Sequence, residues 1–194
     1  MNPLNIHIIV GSTREGRFSE KPAQYMYAEL AKREGVKAEL IDLRDWPLPF
    51  FDASVTPSYK KEPYPHEIVE RWAASVAEAD GYIIVTPEYN HGYPAVLKNA
   101  LDWVFKEWAY KPVGFVSYGS AVGARSVEQL RQVAIELSLV PLRPAIHIPG
   151  DMYMAATKAD NADVAMAFAP IQERVNAFFD ELIKLADALK PLRS

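Results

Sequence analysis

The sequence predicts an α/β fold in which helices cover both faces of a parallel β-sheet. Two observations support this prediction. Short apolar runs alternate along the chain with longer segments of helical periodicity, an order typical of repeated strand–helix units. The first and third runs contain Ile6–Val10 and Tyr82–Val85, which are almost continuous stretches of β-branched residues. Such stretches are typical of strands that are buried on both faces.

Five strands and five helices are predicted in strict alternation. The strands are expected at Leu4–Val10, Val36–Ile41, Gly81–Thr86, Pro112–Ser117 and Leu142–Ile148. Apolar residues at helical spacing place the helices at Phe18–Glu34, Pro65–Ala79, Ala95–Phe105, Val122–Leu139 and Ala165–Leu189. Right-handed crossovers between five parallel strands favour the flavodoxin-like strand order 2-1-3-4-5.

Composition and charge narrow the class of protein. The chain has 194 residues, of which 49% are hydrophobic and 24% are charged, and it shows no repeat or linker. We therefore expect one domain over residues 1–194. The absence of cysteine excludes thiol catalysis, cysteine-bound zinc and iron–sulfur clusters. The net charge of −4 gives no indication of a nucleic-acid partner. No membrane span or signal peptide is legible, so a cytoplasmic location is expected.

One irregular segment interrupts the pattern. Arg44–Pro65 contains five prolines and the apolar cluster Trp46–Phe51. A stiff irregular stretch of roughly 20 residues in a compact domain indicates a functional loop. This cluster, together with Trp103, Phe105, Trp108 and Tyr110, is interpreted either as a set of subunit-interface anchors or as an internal core beneath the loop.

The loop after the first strand, Gly11–Ser19, has the composition of an anion site. It lies at the carboxyl end of strand one and opens a helix, where unpaired amides and the helix dipole favour a phosphate. Hydroxyl and guanidinium side chains add donors. Neither a Walker A motif nor G-x-G-x-x-G is present, which favours a mononucleotide. Asp42 follows strand two, where a ribose-binding acid would be sought in a dinucleotide fold. A capped turn with exposed arginines is the alternative.

The loop after strand three carries the resemblance to a known family. Its sequence from Pro87 runs P-E-Y-N-H-G-Y-P-A-V-L-K-N-A-L-D-W, and the first loop reads G-S-T-R-E-G-R-F-S. Together these motifs resemble those of the NADPH-dependent FMN reductase family, which includes quinone, azo-dye and chromate reductases. The resemblance extends along essentially the whole chain.

The resemblance implies a set of cofactor-binding residues. The first loop would hold the FMN phosphate through Ser12, Arg14, Arg17, Phe18 and Ser19. Many family members have serine in place of Arg17 and asparagine in place of Ser19, so individual contacts of these two positions stay open. The second loop would lie along the flavin ring at Pro87, Glu88, Tyr89, Asn90 and Gly92. In the third loop, Ser117 and Gly119 would border the pyrimidine edge of the flavin.

The resemblance also implies a reaction. NADPH or NADH would give a hydride to flavin N5 and leave, and an acceptor such as free FMN, a quinone or an azo compound would then be reduced. No side chain is expected to act as a catalyst, and no metal is expected. Family members are generally homodimers or homotetramers. Two alternatives remain open: a flavodoxin-type electron carrier, and a flavin-free regulatory protein of the same fold. Arg14 or Arg17 could contact either the flavin or the pyridine nucleotide.

Overall fold

The computed structural model describes residues 3–60, 63–160 and 163–193. The strands are β1 (Leu4–Val10), β2 (Val36–Asp42), β3 (Gly81–Pro87), β4 (Pro112–Tyr118), β5 (Val140–Pro141) and β6 (Ile146–His147). The helices are α1 (Glu20–Leu30), α2 (Glu67–Glu78), α3 (Ala95–Asp102), α4 (Ala124–Glu136), α5 (Gly150–Lys158), α6 (Val164–Phe168) and α7 (Gln172–Leu189). Short 3-10 turns occupy Leu43–Asp45, Pro57–Tyr59, Lys106–Trp108, Ala169–Ile171 and Lys190–Arg193.

The sheet is parallel and its order is β2-β1-β3-β4-β5, which confirms the predicted strand order. Alternate residues of the strands point to opposite faces of the sheet. Ile6 and Ile8 belong to a core beneath α1 and α7, whereas Ile9 and Ile84 belong to a second core beneath α2, α3 and α4. Both faces are therefore covered by helices, as predicted.

The last third of the chain departs most from the prediction. Of the expected fifth strand, Leu142–Ile148, only Ile146–His147 forms a strand, β6; β5 lies just before the expected range, and both pair with β4. Pro141 and Pro144 have no amide hydrogen to contribute to a continuous ladder. The predicted helix over Ala165–Leu189 is broken in the same way at Pro170, where a 3-10 turn separates α6 from α7. Helix α5 was not predicted at all.

The proline-rich segment is fixed by α3 where the structure describes it. The Asn99 side chain accepts from the amide of Phe51 at 2.9 Å and donates to the carbonyl of Pro49 at 2.8 Å. The indole of Trp103 donates to that same carbonyl at 2.7 Å. Lys61 and Glu62, which are part of the predicted segment, lie outside the described residues.

The aromatic cluster divides between core and surface. Trp103 and Trp108 are fully buried, so for these two residues the internal-core interpretation holds and the interface interpretation was wrong. Phe50 in contrast is 84% exposed at the tip of the segment. No helix of the described chain has the length and apolar character needed to cross a bilayer.

An ionic cluster at the amino-terminal edge of the sheet fastens the end of the chain. The Asp80 carboxylate accepts from the amide of Asn5 at 2.9 Å, from Lys190 at 3.0 Å and from Arg193 at 2.8 Å. Burial acts to raise the pKa of Asp80, but these three donors outweigh it and hold the pKa below its usual range.

Asp80→Asn is expected to lower the free energy of unfolding at neutral pH by roughly 1–3 kcal/mol, because it removes the charged partner of two cations. A depressed carboxyl pKa stabilises the fold above the unfolded pKa of about 4 and loses that effect as the pH falls through the folded value. The difference between wild type and variant should therefore shrink on acidification. Urea unfolding from about pH 7 to about pH 3 measures it, and a difference that stays constant with pH would contradict the assignment.

Candidate functional site

Three loops meet at the carboxyl edge of the sheet. The first loop, Gly11–Ser19, follows β1; the second, Glu88–Pro94, follows β3; the third, Gly119–Gly123, follows β4. Because β1 lies beside β3 and β3 beside β4, all three loops end at neighbouring strands. The site is therefore at the switch point of the sheet, where ligands of this class of fold bind.

The first loop leaves several backbone donors free. Within the described residues, the amides of Thr13, Glu15, Gly16 and Phe18 donate to no other group. Gly16 has a φ of +62°, a conformation that glycine adopts without strain. Unpaired amides that precede a helix form a ready anion site. The phosphate role of this loop stays a prediction, and the free amides are the donors that it would need.

The side chains of the first loop differ in their access to a ligand. Ser12, Arg17, Phe18 and Ser19 are buried. Arg14 is exposed, and among the described residues its guanidinium has no ion pair or side-chain hydrogen bond. Arg14 is thus the available cation of the loop.

Two tyrosines connect the first loop to its neighbours, Tyr89 in the second loop and Tyr118 at the end of β4. The hydroxyl of Tyr89 lies 2.8 Å from Ser12 Oγ, and that of Tyr118 lies 2.6 Å from Ser19 Oγ. Burial raises the pKa of Tyr118 to about 12, so this phenol stays protonated at neutral pH. These hydrogen bonds hold Ser12 and Ser19 of the first loop against Tyr89 and Tyr118.

The second loop is a tight turn. Tyr89 and Gly92 exchange both of their backbone hydrogen bonds, at 2.8 and 3.0 Å. Asn90 and His91 between them both have positive φ, 50° and 69°, which is the conformation of a type I′ turn. The turn is tied to α4, because Gln129 donates to the carbonyl of His91 at 2.9 Å.

A partly buried ion pair supports the base of the second loop. The Glu88 carboxylate accepts from Nε of Arg125 at 2.6 Å and lies close to its Nη2. Arg125 Nη1 also lies 2.9 Å from a ring nitrogen of His91. Arg125 is thus committed to the second loop, which gives this residue a structural role.

A cleft of about 380 Å³ opens between the second and third loops. Its volume is within the range of small-molecule sites, roughly 300–1,000 Å³. The lining residues are Pro87, Glu88, Tyr89, Tyr118, Gly119, Ser120, Gly150, Tyr153 and Met154. Four of the predicted residues, Pro87, Glu88, Tyr89 and Gly119, are therefore brought together in one wall.

Other predicted residues lie outside the lining of the cleft. Ser117 is buried, and its hydroxyl donates to the carbonyl of Val122 at 2.9 Å. Phe18 packs edge-on against Tyr118, with 4.9 Å between the ring centroids. Asn90 is exposed at the turn, and Gly92 faces Gln129. A contact of these four residues with the cofactor stays a prediction.

Helix α5 forms the far wall of the cleft, to which it contributes Gly150, Tyr153 and Met154. None of these three residues was predicted from the sequence to belong to the site. Tyr153 packs on Phe18 at 4.3 Å between centroids, so α5 also touches the first loop. An acidic residue in the first turn, Asp151, and a basic one in the last turn, Lys158, are helix-terminus signals that could have identified it.

The residues present fit an FMN molecule. The phosphate would find free amides and Arg14 at the first loop. The ring would find a mostly apolar cleft with aromatic walls, which the third loop lines with Gly119 and Ser120. Tyr89 and Tyr118 line the cleft and also reach the first loop, so the two parts of the site are adjacent.

Comparison with known proteins agrees with this geometry. The family model described as NADPH-dependent FMN reductase matches residues 4–153, which include all three loops. This chain belongs to that family. A NAD(P)H-dependent FMN reductase of Schizosaccharomyces pombe is 36% identical over 186 residues, which cover 94% of this chain and 90% of that protein. A quinone reductase of Escherichia coli strain K12 is 35% identical over 140 residues, covering 69% and 71%.

A solved structure shows the same fold. The flavoenzyme NAD(P)H:(acceptor) oxidoreductase of Paracoccus denitrificans superposes with a TM-score of 0.73 at 21% identity, covering 96% of this chain and 98% of that chain. This likeness establishes the flavodoxin-like fold. The family model and the relative from Schizosaccharomyces pombe confirm the predicted family resemblance.

Proposed function

We propose that the chain is an FMN-dependent NAD(P)H oxidoreductase that reduces a small-molecule acceptor such as free FMN, a quinone or an azo compound. The proposal rests on one observation, which is that an anion-binding type of loop and a ring-sized cleft lie side by side. A loop in which several amides and the guanidinium of Arg14 lack partners among the described residues adjoins an aromatic-walled cleft. Relatives named as NAD(P)H-dependent FMN reductase and quinone reductase support the same activity.

The site residues divide into two groups in this proposal. The amides of the first loop and Arg14 hold the phosphate. Pro87, Glu88, Tyr89 and Gly119 line one side of the flavin ring, and Tyr153 and Met154 bound the space opposite. A bound flavin supplies hydride and electron transfer, so the protein contributes binding, orientation and exclusion of water. Donor and acceptor would occupy this cleft in turn.

Two measurements separate a reductase from an electron carrier and from a flavin-free protein: flavin retention and NAD(P)H oxidation. Purified protein incubated with FMN and then desalted should retain a flavin spectrum, and colourless protein would contradict flavin binding. Loaded protein should then oxidise NADPH or NADH when a quinone or free FMN is added. A carrier would hold the flavin but show no such oxidation without a separate reductase. The rate should scale with flavin occupancy, which partial loading provides as an internal control.

We also propose that the reductase is a homodimer or homotetramer. The proline-rich segment presents Phe50, 84% exposed, on a backbone that α3 holds in place. Light scattering on Phe50→Asp should show a smaller particle than wild type. Ile135→Asp on α4, also a substitution of a largely exposed apolar residue, is the matched control and should leave the mass unchanged. An unchanged mass for Phe50→Asp would contradict this interface.

Residues 1–194 would then form one FMN-binding domain per subunit, acting in the cytoplasm, where reduced pyridine nucleotides are regenerated. Cell fractionation tests this location. Recovery of the protein with a membrane or secreted fraction would contradict it.

A further inference from the structure

Two arginines hold the carbonyls of the first loop. Arg17 donates to the carbonyl of Ser12. Arg44, which follows β2, donates to the carbonyl of Thr13 at 3.3 Å and to that of Arg14 at 2.6 Å. Three consecutive carbonyl groups are thus bound by guanidinium groups, on a loop that is otherwise short of backbone partners.

Two carboxylates anchor these arginines: the guanidinium of Arg17 is bound by both Asp42 and Glu20, and that of Arg44 by Glu20. Asp42 at the end of β2 accepts two hydrogen bonds from Arg17, one of them at 2.8 Å, and a third from the amide of Arg44 at 2.9 Å. Glu20 in the first turn of α1 accepts from Arg17 at 3.0 Å and from Arg44 at 3.1 Å. The four side chains connect β2, the first loop and α1.

This arrangement removes Arg17 from the surface. Its side chain is 1% exposed. Burial acts to lower the pKa of Arg17, yet the contacts with Asp42 and Glu20 raise it, so the group stays charged. Two arginines face two carboxylates, and their formal charges cancel. Arg17 therefore adds little net attraction for a phosphate, unlike the unpaired Arg14.

The effect on the loop follows from peptide geometry. In a trans peptide the carbonyl of one residue and the amide of the next point in opposite directions. Holding the carbonyls of Ser12, Thr13 and Arg14 on one side turns the amides of Thr13, Arg14 and Glu15 to the other side. Two of these, Thr13 and Glu15, are among the amides without a partner in the described chain.

We propose that Arg17 and Arg44 are positioning residues that orient the first-loop amides toward the phosphate of the flavin, without touching it. This inference rests on the proposed function and deepens it. In this proposal the phosphate is bound by the backbone amides of the first loop, and Arg17 only holds that backbone in place. Asp42 binds both arginines instead of a ribose.

The test compares FMN with riboflavin, which has the same ring but no phosphate, by quenching of flavin fluorescence. Arg17→Met and Arg44→Met remove the donors and keep most of the side-chain length. Each should raise the dissociation constant for FMN about tenfold, corresponding to one or two weakened hydrogen bonds to a charged group, and leave that for riboflavin unchanged. The control is Arg33→Met, which removes a partly exposed ion pair with Asp180 near the other end of α1.

Salt dependence separates positioning from direct charge. Each arginine is removed together with the charge of Glu20, as Arg17→Met/Glu20→Gln and Arg44→Met/Glu20→Gln, so that the cluster stays neutral. These double variants should keep the wild-type slope of FMN affinity against salt, whereas Arg14→Gln should flatten it. Unchanged FMN affinity, or an equal loss for FMN and riboflavin, would overturn the positioning role. If the variant of the buried Arg17 fails to fold, the variant of the exposed Arg44 is sufficient to test the positioning role. Wild-type protein that binds riboflavin as tightly as FMN would contradict the proposed phosphate site itself.

Discussion

Replacing Arg14 with glutamate is expected to weaken FMN binding about 100-fold, because the change removes a charged donor and adds a repelling charge. Arg14→Gln, which only removes the charge, should weaken binding about tenfold. Riboflavin affinity should stay the same in both variants. The reason for this expectation is that the guanidinium of Arg14 is exposed and has no ion pair or side-chain hydrogen bond within residues 3–60, 63–160 and 163–193.

The matched control is Arg174→Glu, which makes the same charge reversal at an exposed position of α7. It should leave FMN affinity unchanged and so separate a local effect from one of net charge. If Arg14→Glu alters only the Michaelis constant for NADPH, Arg14 contacts the pyridine nucleotide and its assignment to the flavin phosphate is wrong.

The largest expected effects on stability lie where α7 packs on the centre of the sheet. Phe178 is fully buried against β4, and a Cβ added at Gly114 would lie 2.2 Å from its Cζ. Phe178→Ala should lower the free energy of unfolding by about 4 kcal/mol through the cavity it leaves. Gly114→Ala should lower it by about 2 kcal/mol through overpacking.

The double variant Gly114→Ala/Phe178→Ala provides the sharper test. Its cost should be less than the sum of the single costs, because the new methyl group occupies space that the ring has vacated. Urea unfolding of the four proteins measures the coupling. Gly150→Ala, whose Cβ would meet nothing within 4 Å, is the control and should be nearly neutral. Strict additivity would show that the two residues are not in contact.

Most of the fold was accessible from the sequence because its signals are local. β-Branched runs such as Ile6–Val10 and Tyr82–Val85 identify strands that are buried on both faces. Once the strands are placed, the alternation with helices fixes a parallel sheet. Helix α5 was harder, since only Met152 and Ala156 among its residues are buried, and its start after Pro149 looks like a turn.

The candidate site was accessible only in part, because loop composition does not reveal pairing. Arg14 and Arg17 look equivalent in the sequence, but one is exposed and the other is buried against Asp42. A signal did exist. The predicted order places strand two beside strand one, and the register pairs Val10 with Asp42. The register therefore places an acidic residue, Asp42, next to the first loop. Whether Asp42 pairs with Arg14, with Arg17 or with a ligand depends on side-chain geometry, which the sequence does not show.

The reductase activity can be tested by anaerobic titration of the FMN-loaded protein with NADPH and, separately, with NADH. We expect at least one nucleotide to bleach the oxidised flavin spectrum in the absence of any other protein, and a quinone added afterwards to restore it. Flavin that is retained by the protein but bleached by neither nucleotide would contradict the assignment of this chain as an NAD(P)H-dependent reductase.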